Sequence, residues 1–179
     1  MYILKNTKTI LLLIVVSSLF VSCKDASKTI PIDKENTSVF YFFRHAEKDR
    51  TDLTNKNPSL TTQGLERASK WAVFFKDKKI DAVYSTKYKR TLQTALPIAK
   101  EQNLEIINYT PKLLISEKFI ANNKGKNIVI VGHSNTTPEL VNTLLGEKIY
   151  DDILDQDNND LFIVTLKKNK TTVKREKVN

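Results

Sequence analysis

The chain has a single cysteine, Cys23, in 179 residues. No disulfide can form within one copy, so any exported domain must be held together by packing alone. Aromatic residues make up only 8% of the sequence, with no stacking platform and no recognised nucleic-acid motif. The formal charge of +9 therefore reads as a solvated basic face, spread over both ends and exposed helix positions such as "FKDKK" and "KKNKTTVKREK". Internal repeats and low-complexity stretches are missing, and nothing has the spacing of a metal-ligand cluster. Only two histidines occur, His45 and His133. These absences leave one domain of ordinary size, large enough for a real core and without nucleic-acid partners.

The first residues read as a targeting segment. Lys5 and Lys8 precede the apolar run "ILLLIVVSSLFV" (10–21), which is short for a membrane span and has the form of a signal peptide. It ends in "LFVSC", which resembles a bacterial lipobox with Phe20 where an aliphatic residue is commoner. The resemblance implies lipidation of Cys23, a signal peptide over 1–22 and a lipid-anchored protein in the cell envelope, facing periplasm or exterior. An uncleaved anchor or a soluble export signal are the alternatives. Residues 23–37 are polar, carry a proline and lack periodicity, which predicts a tether.

From residue 38 to 179 strands and helices alternate. "VFYFF" (39–43), "IDAVYS" (80–85), "LEIINY" (104–109) and "NIVIVGH" (127–133) read as strands, the last apolar throughout and therefore central. Leu65, Ala68, Trp71, Ala72 and Phe75 have helical spacing, as do Leu92, Ala95, Leu96 and Ala99, with Pro97 a possible kink. "KLLISEKFIANN" predicts a shorter helix. Thr136 and Glu139 have capping-box spacing, Pro138 falls in the first turn and Gly146 closes that helix. "LFIVTLK" and "TTVKREKV" around "KNK" predict a hairpin. The expected fold is α/β: a three-layer sandwich with a mostly parallel sheet, helices on both faces and an antiparallel C-terminal hairpin at the edge.

Both histidines follow an apolar strand directly, in "FYFFRH" and "IVIVGH". Arg90 lies five residues past the end of "DAVYS". In a mostly parallel sheet these ends share one rim, where open α/β sheets bind ligands. Arg44, His45, Arg90 and His133 would then crowd together and repel one another unless an anion sat among them. Arginine forks match phosphate oxygens in pairs, and helix N-termini near Lys87 and Thr136 add N–H groups. Imidazole can also attack phosphorus.

These residues resemble the small branch, branch 1, of the histidine phosphatase (phosphoglycerate mutase-like) superfamily. "FFRHAEK" is similar to its Arg-His-Gly-Glu signature, with Ala46 for glycine. "LTTQGLERA" (60–68), "YSTKYKRTLQTA" (84–95) and "VIVGHSNTTPELV" follow in family order. The resemblance implies that His45 takes the phosphoryl group while Arg44, Arg90 and His133 hold its oxygens. Ser134 matches the family, and Asn135 is a candidate for a further phosphate contact. It implies Glu117 as the general acid, with Glu47 as fallback and Glu139 left to the helix cap. It also implies no metal or other cofactor, and a phosphorylated small molecule or phosphopeptide as substrate. "AEKDRTDLTN" departs from the mutase pattern, so a phosphatase is expected rather than mutase-type phosphoryl transfer. The rival is a lipoprotein that binds a phosphorylated ligand without turnover; retention of both histidines and both arginines favours catalysis. An envelope structural protein would explain the charge and none of the motifs.

Overall fold

In the computed structural model described here, the structure describes residues 37–168 and 170–179. The expected signal peptide, Cys23 and the expected tether, apart from Thr37, lie outside the described residues. Chain order runs β1 (Thr37–Arg44), α1 (Thr62–Phe75), β2 (Ala82–Ser85), α2 (Lys89–Glu101), β3 (Ile106–Asn108), α3 (Pro111–Leu114), α4 (Glu117–Asn122), β4 (Asn127–Gly132), α5 (Thr136–Leu145), β5 (Asp160–Lys167) and β6 (Lys170–Lys177). The six strands form one sheet in the order β3-β2-β4-β1-β5-β6. The first four are mutually parallel and the β5–β6 hairpin runs against them.

The aromatic run of β1 explains the sandwich. Successive strand side chains point to opposite faces, so Phe40 and Phe42 enter one apolar layer and Tyr41 and Phe43 the other. Phe43 stacks on Trp71 of α1 at 4.2 Å between ring centroids. That layer, completed by Phe75, Val83, Ala95, Ile98, Val129 and Val131, seats α1 and α2. On the other face Phe40, Phe42, Ile128 and Ile130 meet Leu140, Val141 and Leu144 of α5 and Leu114 of α3. Each fully buried Phe or Ile contributes roughly 1.5–3 kcal/mol relative to exposure, so β1 and β4 are held from both sides.

Several local expectations are corrected. The buried stripe of α2 is Thr91, Thr94, Ala95, Ile98 and Ala99, while Leu96 is exposed. Threonine can take these places because Thr91 Oγ1 donates to Thr86 or Tyr88 carbonyls and Thr94 Oγ1 donates to the Arg90 carbonyl. Leu65 is likewise exposed on α1. "KLLISEKFIANN" forms two short helices, separated where Ser116 caps α4 by accepting from Phe119 N. At α5 the N-cap is Asn135, without a side-chain cap bond, and Thr136 Oγ1 accepts from His133 N. Thr136 and Glu139 therefore do not make the expected capping box. Gly146 does close the helix, in the left-handed region at φ 76°.

Candidate active site

β1 and β4 are neighbours in register, Arg44 beside Gly132, and His45 N donates to the Gly132 carbonyl at 3.0 Å. The residues that follow each strand are thereby placed side by side. The imidazoles of His45 and His133 lie 5.6 Å apart between centroids, at 69°. Both line a cavity of about 760 Å³ with Arg44, Lys48, Arg90 and Asp155. Thr86–Tyr88 and Ser134–Thr136, at the starts of α2 and α5, form much of its wall. Ser134 and the exposed Asn135 are thus at the pocket, as expected.

His45 is 3% exposed, and its Nδ1 lies 2.7 Å from the Ala46 carbonyl. A carbonyl only accepts, so Nδ1 carries the proton and donates it. Nε2 keeps its lone pair and has no hydrogen-bond partner among the described residues. Burial, opposed by the Ala46 bond and reinforced by the charges of Arg44, Arg90 and His133, lowers the imidazole to about 3. The ring is neutral at working pH and presents one unprotonated nitrogen. Its backbone is held from two further sides: Asn158 Nδ2 donates to the His45 carbonyl and Ala46 N donates to Thr94 Oγ1.

His133 is fixed by a directed chain. Arg90 Nη2 donates to Nδ1 at 3.4 Å, which leaves Nε2–H to donate to Thr86 Oγ1 at 2.9 Å. The Thr86 hydroxyl then donates to Thr91 Oγ1. Burial and the charges of Arg90, Arg44 and Lys48 lower His133 to about 4. The Arg90 guanidinium lies 4.4 Å above the Tyr88 ring, whose edge contact with His133 completes the set. Arg90 Nε is buried without a partner, a donor open to an anion.

Arg44 is tied into the fold. It is 1% exposed, and Nη1 donates to the carbonyls of Leu154, Asp155 and Asp157 at 2.8–3.3 Å. Nη2 donates to Asp155 Oδ1 at 3.1 Å, while Arg50 takes Asp155 Oδ2 at 2.6 Å. Hydrogen bonds from Arg50 and Arg44 hold the Asp155 carboxyl at about 2. Arg44 Nε remains buried and unpartnered. The 154–157 segment and Asn158 carry no motif in the sequence, and Thr86 and Thr94, though within "YSTKYKRTLQTA", are not singled out by it; only their tertiary partners identify them.

Glu117 is exposed at the start of α4 and is not brought to the pocket. Glu47 turns away: its Oε1 accepts from Arg67 Nε at 2.7 Å beside a neighbouring hollow. Gly64 is required nearby, because a Cβ there would fall 2.2 Å from the Glu47 carbonyl oxygen.

The fold and site define an α/β protein with a cationic pocket and a buried, neutral imidazole at the carboxyl ends of parallel strands. Residues 40–113 match the model of the histidine phosphatase superfamily (branch 1). That segment carries Arg44, His45 and Arg90; His133 lies beyond it. No curated protein matches the chain. Among solved structures, a mycobacterial glucosyl-3-phosphoglycerate phosphatase is similar at TM-score 0.61 and 10% identity, covering 80% of this chain and 100% of its own. The protein histidine phosphatase SixA complexed with tungstate gives 0.60 and 18%, covering 79% and 96%. A phosphoglycerate mutase from Bacillus anthracis gives 0.56 and 14%, covering 80% and 94%. These likenesses establish the shared fold, and the family-model match is confined to residues 40–113.

Proposed function

We propose that this chain is a phosphatase that hydrolyses a phosphomonoester through a phosphohistidine on His45, without a metal. The observation that carries the reading is the free Nε2 of a buried, neutral His45, facing a pocket shared with Arg90 and His133. Nε2 attacks phosphorus as the ester bond breaks, forming the P–N bond. Arg90, Arg44 Nε and the N-termini of α2 and α5 oppose the charge on the phosphoryl oxygens. His133 accepts from Arg90 at Nδ1 and donates to Thr86 at Nε2, and so holds the Arg90 guanidinium at the pocket. Water then attacks phosphorus, the P–N bond breaks, and inorganic phosphate leaves. Positioned donors are the main source of rate in such loose transition states.

The substrate in this reading is a small phosphorylated molecule or phosphopeptide met outside the cytoplasm, with the enzyme tethered to the membrane by a lipid on Cys23. Among fold neighbours, SixA binds tungstate, an oxyanion of phosphate's shape. The test is hydrolysis of p-nitrophenyl phosphate in the presence of a chelator, by the native chain and His45→Ala. Activity that survives chelation and is lost in the variant is the expected result. Equal rates in the two proteins would remove the phosphohistidine route. For the anchor, Cys23→Ser should release the chain from membranes; unchanged fractionation would contradict it.

A further inference from the structure

The reaction proposed above needs a proton for the departing oxygen whenever that oxygen is a poor leaving group. The carboxylates near the site are committed elsewhere. Glu117 is exposed outside the pocket, and Glu47 is paired with Arg67. Asp155 does line the pocket, but Arg50 and Arg44 keep it ionised. Tyr109 donates its hydroxyl to the Val131 carbonyl, and burial pushes that phenol far up. Arginine does not give up its proton in this pH range.

Lys48 is different. It lies three residues past His45, half-buried, and lines the same pocket. Its backbone is fixed on both sides. Lys48 bridges Leu60, Thr61 N donates to the Glu47 carbonyl, and Asp49 N donates to the Ser59 carbonyl. Leu60 N in turn donates to Gln93 Oε1 on α2. The Lys48 ammonium has no ion-pair partner among the described residues. Arg44 from β1, Arg50 from its own loop, Arg90 from α2, His133 from beyond β4 and Asp155 face it. Burial and the charges of Arg50 and Arg90, opposed by Asp155 and reinforced by Arg44, push the ammonium below the ordinary lysine range. An ammonium so placed yields its proton more readily than a free lysine. Lys87 and Tyr88 also line the pocket, but both are exposed on its rim.

We infer that Lys48 is the proton donor to the leaving oxygen, a catalytic residue that the sequence motifs do not mark. As His45 Nε2 bonds to phosphorus, the P–O bond breaks and its electron pair takes a proton from Lys48 Nζ. The alcohol departs and Lys48 is left as a neutral amine. In the second step that amine accepts a proton from the attacking water. The P–N bond breaks, phosphate is released and the ammonium is restored. The inference rests on the phosphatase reading, and it narrows the substrate to alkyl phosphates, whose alcohols cannot leave unassisted.

The experiment compares the full chain with Lys48→Gln, Lys48→Arg and Lys87→Gln on two probes, p-nitrophenyl phosphate and 2-phenylethyl phosphate. Both Lys48 variants are expected to lose about 100-fold or more in kcat on the alkyl ester and no more than about 5-fold on the nitrophenyl ester. The Lys48→Arg variant keeps the charge, so its failure on the alkyl ester separates proton donation from electrostatics. Equal losses on both probes, rescue by arginine, no loss, or the same selectivity in Lys87→Gln would overturn the assignment. So would a native chain that turns over only the nitrophenyl ester. Failure of the underlying phosphatase reading would look different: His45→Ala would be as active as the native chain, or neither probe would be hydrolysed.

Discussion

Arg44 and Arg90 occupy the same pocket, yet their surroundings call for different responses to the same substitution. In Arg44→Lys the charge stays, but one ammonium cannot serve the carbonyls of Leu154, Asp155 and Asp157 and the Asp155 carboxylate together. Each buried polar group left unpaired costs about 1–3 kcal/mol. The Asp155 ion pair adds little, because that side chain is 61% exposed and solvent screens it. A total near 3 kcal/mol corresponds to a fall in Tm of about 6–12 °C for a domain of this size. Arg90→Lys loses one long bond to His133 and the contact over Tyr88. Its cost should stay below about 1 kcal/mol, or about 4 °C. Both variants should lose roughly 100-fold or more in activity, as removal of a positioned donor does. Thermal unfolding by calorimetry, with steady-state kinetics on p-nitrophenyl phosphate, separates the two. Equal Tm values for Arg44→Lys and Arg90→Lys would refute the structural role assigned to Arg44.

Three further outcomes follow from the geometry. Gly64→Ala should lose activity and stability together, because its Cβ meets the Glu47 carbonyl two residues from His45; native-like kinetics would contradict that packing. Glu117→Gln should leave kcat unchanged on alkyl and nitrophenyl phosphates alike, and a loss confined to the alkyl ester would return the acid role to Glu117. In ligand-free protein, proton NMR of the two imidazoles should show both still neutral at pH 5. Their folded values of about 3 and 4 lie below the ordinary 6.5, so the unfolded chain binds more protons between. Stability should therefore fall as pH drops from about 6.5 towards 4 and below. A midpoint near 6.5 for either ring would contradict the buried, cation-flanked site.

The site was largely legible because strand ends are legible. "FYFF" and "IVIVG" read as buried strands, and β1 and β4, being parallel neighbours, deliver their carboxyl ends to one rim. His45, His133 and the arginines followed from that. The limits were physical too. Arg44 was read only as a ligand for phosphate, since the loop that shares it lies more than 100 residues away and has no local pattern. Asp155 and Asn158 lack a local pattern too, and are recognised only by their tertiary contacts. The α2 stripe was misplaced because a hydrophobic periodicity does not credit threonines that satisfy their own hydroxyls on backbone carbonyls. Glu117 came from the family resemblance, and a place along the chain does not set direction when β3 and the short α3 intervene and Glu117 itself opens α4.

The most direct test is to quench the native chain during turnover of a labelled phosphomonoester and identify the phosphorylated residue. The expected product is an acid-labile, alkali-stable phosphoryl group on His45, bonded through Nε2 because Nδ1 is engaged by the Ala46 carbonyl. It should be absent from His45→Ala. A label on serine or aspartate, or on Nδ1 of His45, or turnover with no labelled protein at any time point, would contradict the account.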